Sequence, residues 1–313
     1  MNWFDQPVVA ALTPVFLLAA AGFVAGRLDW IRGESVKDLS NLVFLVLIPA
    51  LLFRTMSAVR FEALDLRPVA AYFSAAVGWW AVSVAVRGFN PRSVVLALSG
   101  VFSNMVMIGI TLVELAYGKA GLVTLLTLVS VHALTLLTLG SVTLELAQMK
   151  LGQGGASILA TLWSAVKGAL IHPIPLPIGC GLLFAQTGWS LPLVVDKPLQ
   201  LLGNAFGPLA LVLVGVSLAR TPLKGQKAAA LWLAGSKNLV LPLLVVCSAW
   251  VFGIRGLPLT VMVVAAALPI GANVFLFAQR YGVAQELTTA AMGVSTVLAV
   301  LTLPAVMWAL SLL

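Results

Sequence analysis

A helix needs about 20 predominantly apolar residues to cross the hydrocarbon core of a bilayer. Runs of that kind occupy this chain almost end to end. They predict helices over 8–26, 38–56, 67–86, 93–117, 120–147, 168–187, 194–219, 228–252, 257–281 and 285–311. The most loop-like stretch lies between the fifth and sixth runs, where Gln148 to Ser157 includes Lys150-Leu151-Gly152-Gln153-Gly154-Gly155. The expected organisation is a first five-helix unit over 1–147, a linker over 148–157 and a second five-helix unit over 158–313. Five crossings per unit bring the second set in from the opposite side, so a shared fold would make the halves an inverted-topology repeat.

Two polar, glycine-containing breaks interrupt otherwise apolar runs. One is Ser103-Asn104-Met105-Val106-Met107-Ile108-Gly109 in the fourth run, and the other is Pro269-Ile270-Gly271-Ala272-Asn273 in the ninth. Asn104 and Asn273 stand 169 residues apart. A second echo, Ile48-Pro49-Ala50-Leu51-Leu52 against Gly207-Pro208-Leu209-Ala210-Leu211, has an offset of 159, as a duplicated unit with small loop changes would show. Unpaired backbone groups cost several kcal/mol in hydrocarbon, so a break there requires a protein-lined cavity. A matched pair of breaks points to the midplane substrate site of a secondary transporter.

Composition narrows the class. The chain is 61% hydrophobic and 9% charged with a mean hydropathy of +1.09, far below the roughly 25% charge of a soluble domain. An all-α integral membrane protein is expected. The net charge of +8 carries no nucleic-acid signal, because the basic residues are scattered over short loops instead of forming a stripe. Eleven of the 18 fall in the loops after the first, third, fifth, seventh and ninth helices, against six on the other face (Arg54, Arg60, Arg67, Lys119, Lys197 and Arg255). The excess puts the loop between the halves in the cytoplasm and both termini outside. Met1 to Pro7 lacks the basic start of a cleavable signal, so the first run is expected to remain as a span. Cys180 and Cys247 lie inside apolar runs and read as small core hydrophobes.

Candidate chemistry is sparse. Pro269 removes a backbone donor and frees a carbonyl near residue 265, while Gly271 lets the chain open. Asn273 supplies an amide, and the half-helix starting near residue 272 presents unpaired N–H groups to an anion. Ala272 and Ile270 complete that segment. Ser103 and Asn104 provide the matching polar groups in the fourth helix. Lys237, inside the eighth helix, either attracts an anion or stands in for a coupling ion, or else snorkels or pairs with Glu145. His132 either relays protons or packs as a neutral ring. No zinc-ligand spacing, nucleophile elbow or phosphate loop is present, so neither an enzyme, a cofactor nor an ATP-driven pump is expected.

In this order the motifs resemble the auxin efflux carrier family, in particular its bacterial members for malonate-like organic acids. The resemblance spans the chain and rests on Asn41-Leu42-Val43-Phe44 to Phe53, Phe102-Ser103-Asn104 to Ile110, Gly207 to Ala210, Lys237-Asn238 to Pro242, and Ala267 to Tyr281. It implies a fold similar to that of the bile acid symporters: ten helices in two inverted repeats, the fourth and ninth unwound and crossing. The first, second, sixth and seventh would form a scaffold, through which a homodimer could assemble. The third to fifth with the eighth to tenth would form a mobile elevator domain. The resemblance places the substrate at Asn104 and at Pro269 to Asn273. One departure is Thr111, where relatives usually carry proline; it softens the break or adds a hydroxyl to the site. A secondary carrier of a small organic anion in the cell inner membrane is expected, with H+ or Na+ coupling open. A passive anion channel and a sodium-coupled symporter are the alternatives.

Overall fold

The computed structural model describes residues 7–152, 173–221 and 227–312, with isolated positions between 159 and 167. Among the described residues the chain is helical, and its one strand-like feature is a single antiparallel bridge. In chain order the helices are α1 (Pro7–Arg27), α2 (Gly33–Met56), α3 (Arg67–Arg87), α4 (Pro91–Ser99), α5 (Ile110–Lys150) and α6 (Pro175–Gln186). They continue as α7 (Leu193–Arg220), α8 (Lys227–Val251), α9 (Gly256–Ala267), α10 (Asn273–Tyr281) and α11 (Gln285–Leu310). Among the described residues, seven helical stretches are long and apolar enough to cross a membrane; α6 and α9 are shorter apolar helices.

Helix ends overrun the apolar runs where polar residues can still hydrogen-bond along the backbone at a wet interface. Thus α2 begins at Gly33 and takes in Glu34, Lys37 and Asp38, and α5 continues to Lys150, into the expected linker. The rest of that linker, 153–157, lies outside the described residues, as do positions 168–172 at the start of the sixth predicted helix. Within α5, Gly118 takes φ 60° and ψ −160° and interrupts the helix between the fourth and fifth predicted runs. Only glycine adopts such a conformation at low cost. Both α2 and α8 contain a π turn, Val43–Leu47 and Ser236–Val240, immediately before Ile48-Pro49 and Leu241-Pro242. Proline offers no N–H to the carbonyl one turn earlier, and a wider turn absorbs the mismatch.

The helices gather into two compact units, each drawing on both halves of the sequence. The first comprises Met1–Leu66, Met105–Ser130 and Ile171–Thr221; the second comprises Arg67–Asn104, Val131–Leu170 and Pro222–Leu313. In the first unit α1 and α7 meet backbone to backbone. A Cβ added at Gly22 would sit 2.0 Å from the Val212 carbonyl oxygen, and one at Gly215 would sit 1.9 Å from that of Ala19. Lipid tails are as apolar as leucine, so close van der Waals contact at small residues holds such helices together. Arg54 clamps Asp196 at 2.7 and 3.1 Å, joining α2 to α7. A cavity of about 670 Å3 in this unit is lined by Arg54, Glu114, Lys119, Trp189 and Asp196, and by none of the sequence-predicted site residues.

In the second unit α3 packs on α8 through Ser74 Oγ to Ser248 Oγ (3.0 Å) and Trp79 Nε1 to Ser236 Oγ (3.1 Å). This unit also holds α4 with the break that follows it to Asn104, and the α9–α10 pair, whereas Met105–Gly109 and the start of α5 belong to the first unit.

Candidate functional site

Local sequence dictates both breaks. Asn90 caps α4, accepting the Ser93 N–H, and Pro91 starts its first turn. The helix ends at Ser99, and the chain runs non-helically to Asn104 before a π turn over Met105–Gly109. The polar residues Ser103 and Asn104 thus occupy the break, while Gly109 belongs to the turn after it. In the ninth predicted helix, Leu268 precedes proline and is extended at φ −59° and ψ 150°, ending α9 at Ala267. Helical structure resumes at Asn273 and closes at Gly282, whose φ of 67° is a left-handed cap.

The two breaks pair with each other. Asn104 donates its N–H to the Pro269 carbonyl at 2.8 Å, and Gly271 donates to the Phe102 carbonyl at 3.0 Å, making Ser103 and Ile270 an antiparallel pair. Four backbone groups orphaned by the two unwound segments are satisfied this way. Gly271 is needed for close approach rather than for opening the chain. A Cβ there would meet the Phe102 ring at 2.9 Å and the Ser103 carbonyl oxygen at 3.1 Å.

Lys237 has no exposed surface, and its ammonium donates to the carbonyls of Ala266 (2.6 Å) and Leu268 (2.7 Å). It caps the C-terminal end of α9, where carbonyls lack helical partners and the helix dipole is negative. The freed carbonyls therefore fall at 266 and 268, beside the expected position near 265. His132 is buried with its ring edge-on to Phe102 at 4.4 Å between centroids and tilted to Tyr72 at 6.0 Å; its Nε2 has no hydrogen-bond partner. Tyr72 Oη in turn shares a 3.1 Å hydrogen bond with Ser103 Oγ.

Ser103, Asn104, Pro269, Ile270, Gly271, Lys237 and His132 are thus brought together in the second unit. Ala272 is exposed, and Asn104 and Asn273 are partly exposed, with Asn273 opening α10. Thr111 belongs to the first unit, where its side chain lies 3.0 Å from a Cβ built on Gly207 and its hydroxyl is buried without a partner.

Sequence reasoning missed Tyr72, Asn238, Ser295 and Thr302. Asn238, adjacent to Lys237, hydrogen-bonds Ser295 and Thr302 on α11, and Ser295 accepts the Ile270 N–H. Asn238 was detectable as a second polar residue beside Lys237, and Tyr72 as one of only three tyrosines. Ser295 carries no signal that separates it from other small hydroxyls.

This architecture, an apolar helical chain whose two interrupted helices pair at their breaks, is that of a membrane transporter. The chain matches the family described as membrane transport protein over residues 7–307 and belongs to it; this is the auxin efflux carrier family that its motifs resemble. It is a multi-pass membrane protein. A relative from Rhizobium meliloti (strain 1021), which bears the name "Putative malonate transporter", is 25% identical over 312 residues, covering 96% of this chain and 95% of the relative.

Proposed function

We propose that this protein is a secondary active carrier of a small organic anion, a short mono- or dicarboxylate such as malonate, working by an elevator motion in the cell inner membrane. The observation that carries this reading is the backbone pairing of the two breaks. It leaves the Asn104 and Asn273 amides at the edge of a fixed, polar, non-helical patch. Carboxylate oxygens bind the two asparagines and the amide end of α10, where the dipole favours negative charge. The buried Lys237 adds positive potential, and His132 and Thr111 are secondary candidates for coupling or contact. The coupling ion is H+ or Na+.

In this reading the chain crosses the bilayer ten times, as an inverted pair of five-helix repeats over 1–147 and 158–313 joined by a cytoplasmic linker at 148–157. Both termini are outside. In this reading α1, α2, α6 and α7, which share the first compact unit with Met105–Ser130, serve as scaffold and as the dimer surface, and the second unit carries the substrate. The relative's name and the collection of helices from both halves into each unit support this reading.

The test is thermal stabilisation of the purified protein by a panel of mono- and dicarboxylates, indoles, amino acids and cations. A ligand that binds only the folded state stabilises it by about 2.7 kcal/mol at 100 times its dissociation constant. One short acid should raise the unfolding midpoint, and Asn273→Ala should abolish that shift while unfolding normally without ligand. Stabilisation by a neutral or cationic compound and by no anion would overturn the anion assignment.

A further inference from the structure

The Ser103–Ile270 pair is of the kind in which the bonds run between flanking residues, so the Ile270 N–H points away from the partner segment. A buried amide without a partner is costly, and this one is answered by Ser295 Oγ at 3.1 Å. The Ser295 hydroxyl can accept that bond dependably because its own proton is committed elsewhere, donated to Asn238 Oδ1 at 2.6 Å. Asn238 is itself fixed in amide orientation: Nδ2 donates to the Ser295 carbonyl at 2.9 Å and to Thr302 Oγ1 at 3.4 Å. Asn238 and Ser295 have no exposed surface, and Thr302 is 7% exposed.

Asn238 and Lys237 are consecutive residues of one π turn, Ser236–Val240. Lys237 holds the carbonyls on the α9 side of the break, and Asn238, through Ser295, holds the amide at its centre. A single wide turn of α8 thereby grips both chemical polarities of the unwound segment. From this geometry we infer that Asn238 and Ser295 are positioning residues of the substrate site: they set where Ile270, Gly271 and the start of α10 sit, and so set affinity and selectivity without touching the substrate. The inference rests on the substrate site lying at the paired breaks.

The experiment compares wild type with Ser295→Ala, Ser295→Thr, Asn238→Ala and the double variant carrying Ser295→Ala and Asn238→Ala, each reconstituted in liposomes and normalised to folded protein by gel filtration. Two readouts are taken. The first is malonate and succinate uptake, resolved into KM and Vmax. Loss of one buried hydrogen bond is worth about a tenfold change in affinity. Ser295→Ala should raise the malonate KM about tenfold and change the malonate-to-succinate preference. Vmax should hold within about twofold, Ser295→Thr should restore KM, and adding Asn238→Ala to Ser295→Ala should worsen it little. An unchanged KM and preference, with only yield or Vmax lowered, would reduce the pair to a structural role and overturn the inference.

The second readout needs no substrate: hydrogen exchange of a peptide covering 266–274 in detergent. Ser295→Ala should speed exchange there at least about tenfold, since one protecting bond is lost, and leave peptides of α1 and α7 unchanged. If wild type transports neither acid but this exchange still rises, the choice of malonate and succinate as substrates fails while the hold of Ser295 on the break stands. The KM comparison is then made with whichever compound stabilises the protein. If exchange at 266–274 does not change, the positioning role fails whatever is transported.

Discussion

A lysine ammonium with no exposed surface must find its partners inside the protein, and two backbone carbonyls receive the hydrogen bonds of Lys237. Substituting it changes the fold before it changes any charge balance. Lys237→Met keeps the volume but strands the Ala266 and Leu268 carbonyls. The expected cost is about 2–4 kcal/mol, read as a lower unfolding midpoint in detergent, because bonds from a charged donor are worth about 1.5–3 kcal/mol each before the relief of burying no charge. An unchanged midpoint would mean that the capping bonds contribute nothing net.

At this scale the sequence is unevenly legible. Asparagines at 104 and 273 stand out against apolar neighbours, and proline at 269 announces the end of α9. The partners of Lys237 do not stand out, because a backbone carbonyl looks the same at every position. Gly271 was visible as a glycine, but its reason was not: the Phe102 ring that excludes a Cβ is 169 residues away in the chain.

Helices show which glycines matter. Gly22 and Gly215 sit where a side chain would collide with carbonyl oxygens of the neighbouring helix, whereas nothing lies within 4 Å of a Cβ built on Gly78. Gly215→Val should lower the yield of folded protein sharply, with a stability loss at or above the 1–3 kcal/mol typical of overpacking. Gly78→Ala, inside α3, should be neutral or stabilising by up to about 1 kcal/mol. Thermal unfolding of the two variants side by side checks the contrast; equal losses would mean that α1 and α7 are not packed so closely. Apolar runs located the helices because hydropathy reports on the solvent around a segment. They could not locate the π turns of α2 and α8, which answer to hydrogen bonding around Pro49 and Pro242. Nor could they show that the two breaks bond to each other, a contact between segments far apart in the chain.

For the molecule as a whole, the basic-residue bias makes an orientation testable in a background lacking Cys180 and Cys247. A cysteine at Glu62 should react with an impermeant maleimide in intact cells, and cysteines at Asp29 and Leu151 should react only after permeabilisation. The reverse pattern would invert the proposed topology. The sequence led to an expected division into two five-helix halves; the two compact units were not legible, since each is assembled from both halves.

The contact of Gly22 with Val212 also has a consequence in time. The two residues are about 190 positions apart, and a ribosome adding about 5–20 residues per second reaches the second roughly 10–40 seconds after the first. Through that interval the glycine face of α1 is without the α7 backbone that covers it in the finished protein. A newborn chain therefore has a window, early in its synthesis, in which the wrong small-residue helix can take the place that α7 has yet to fill.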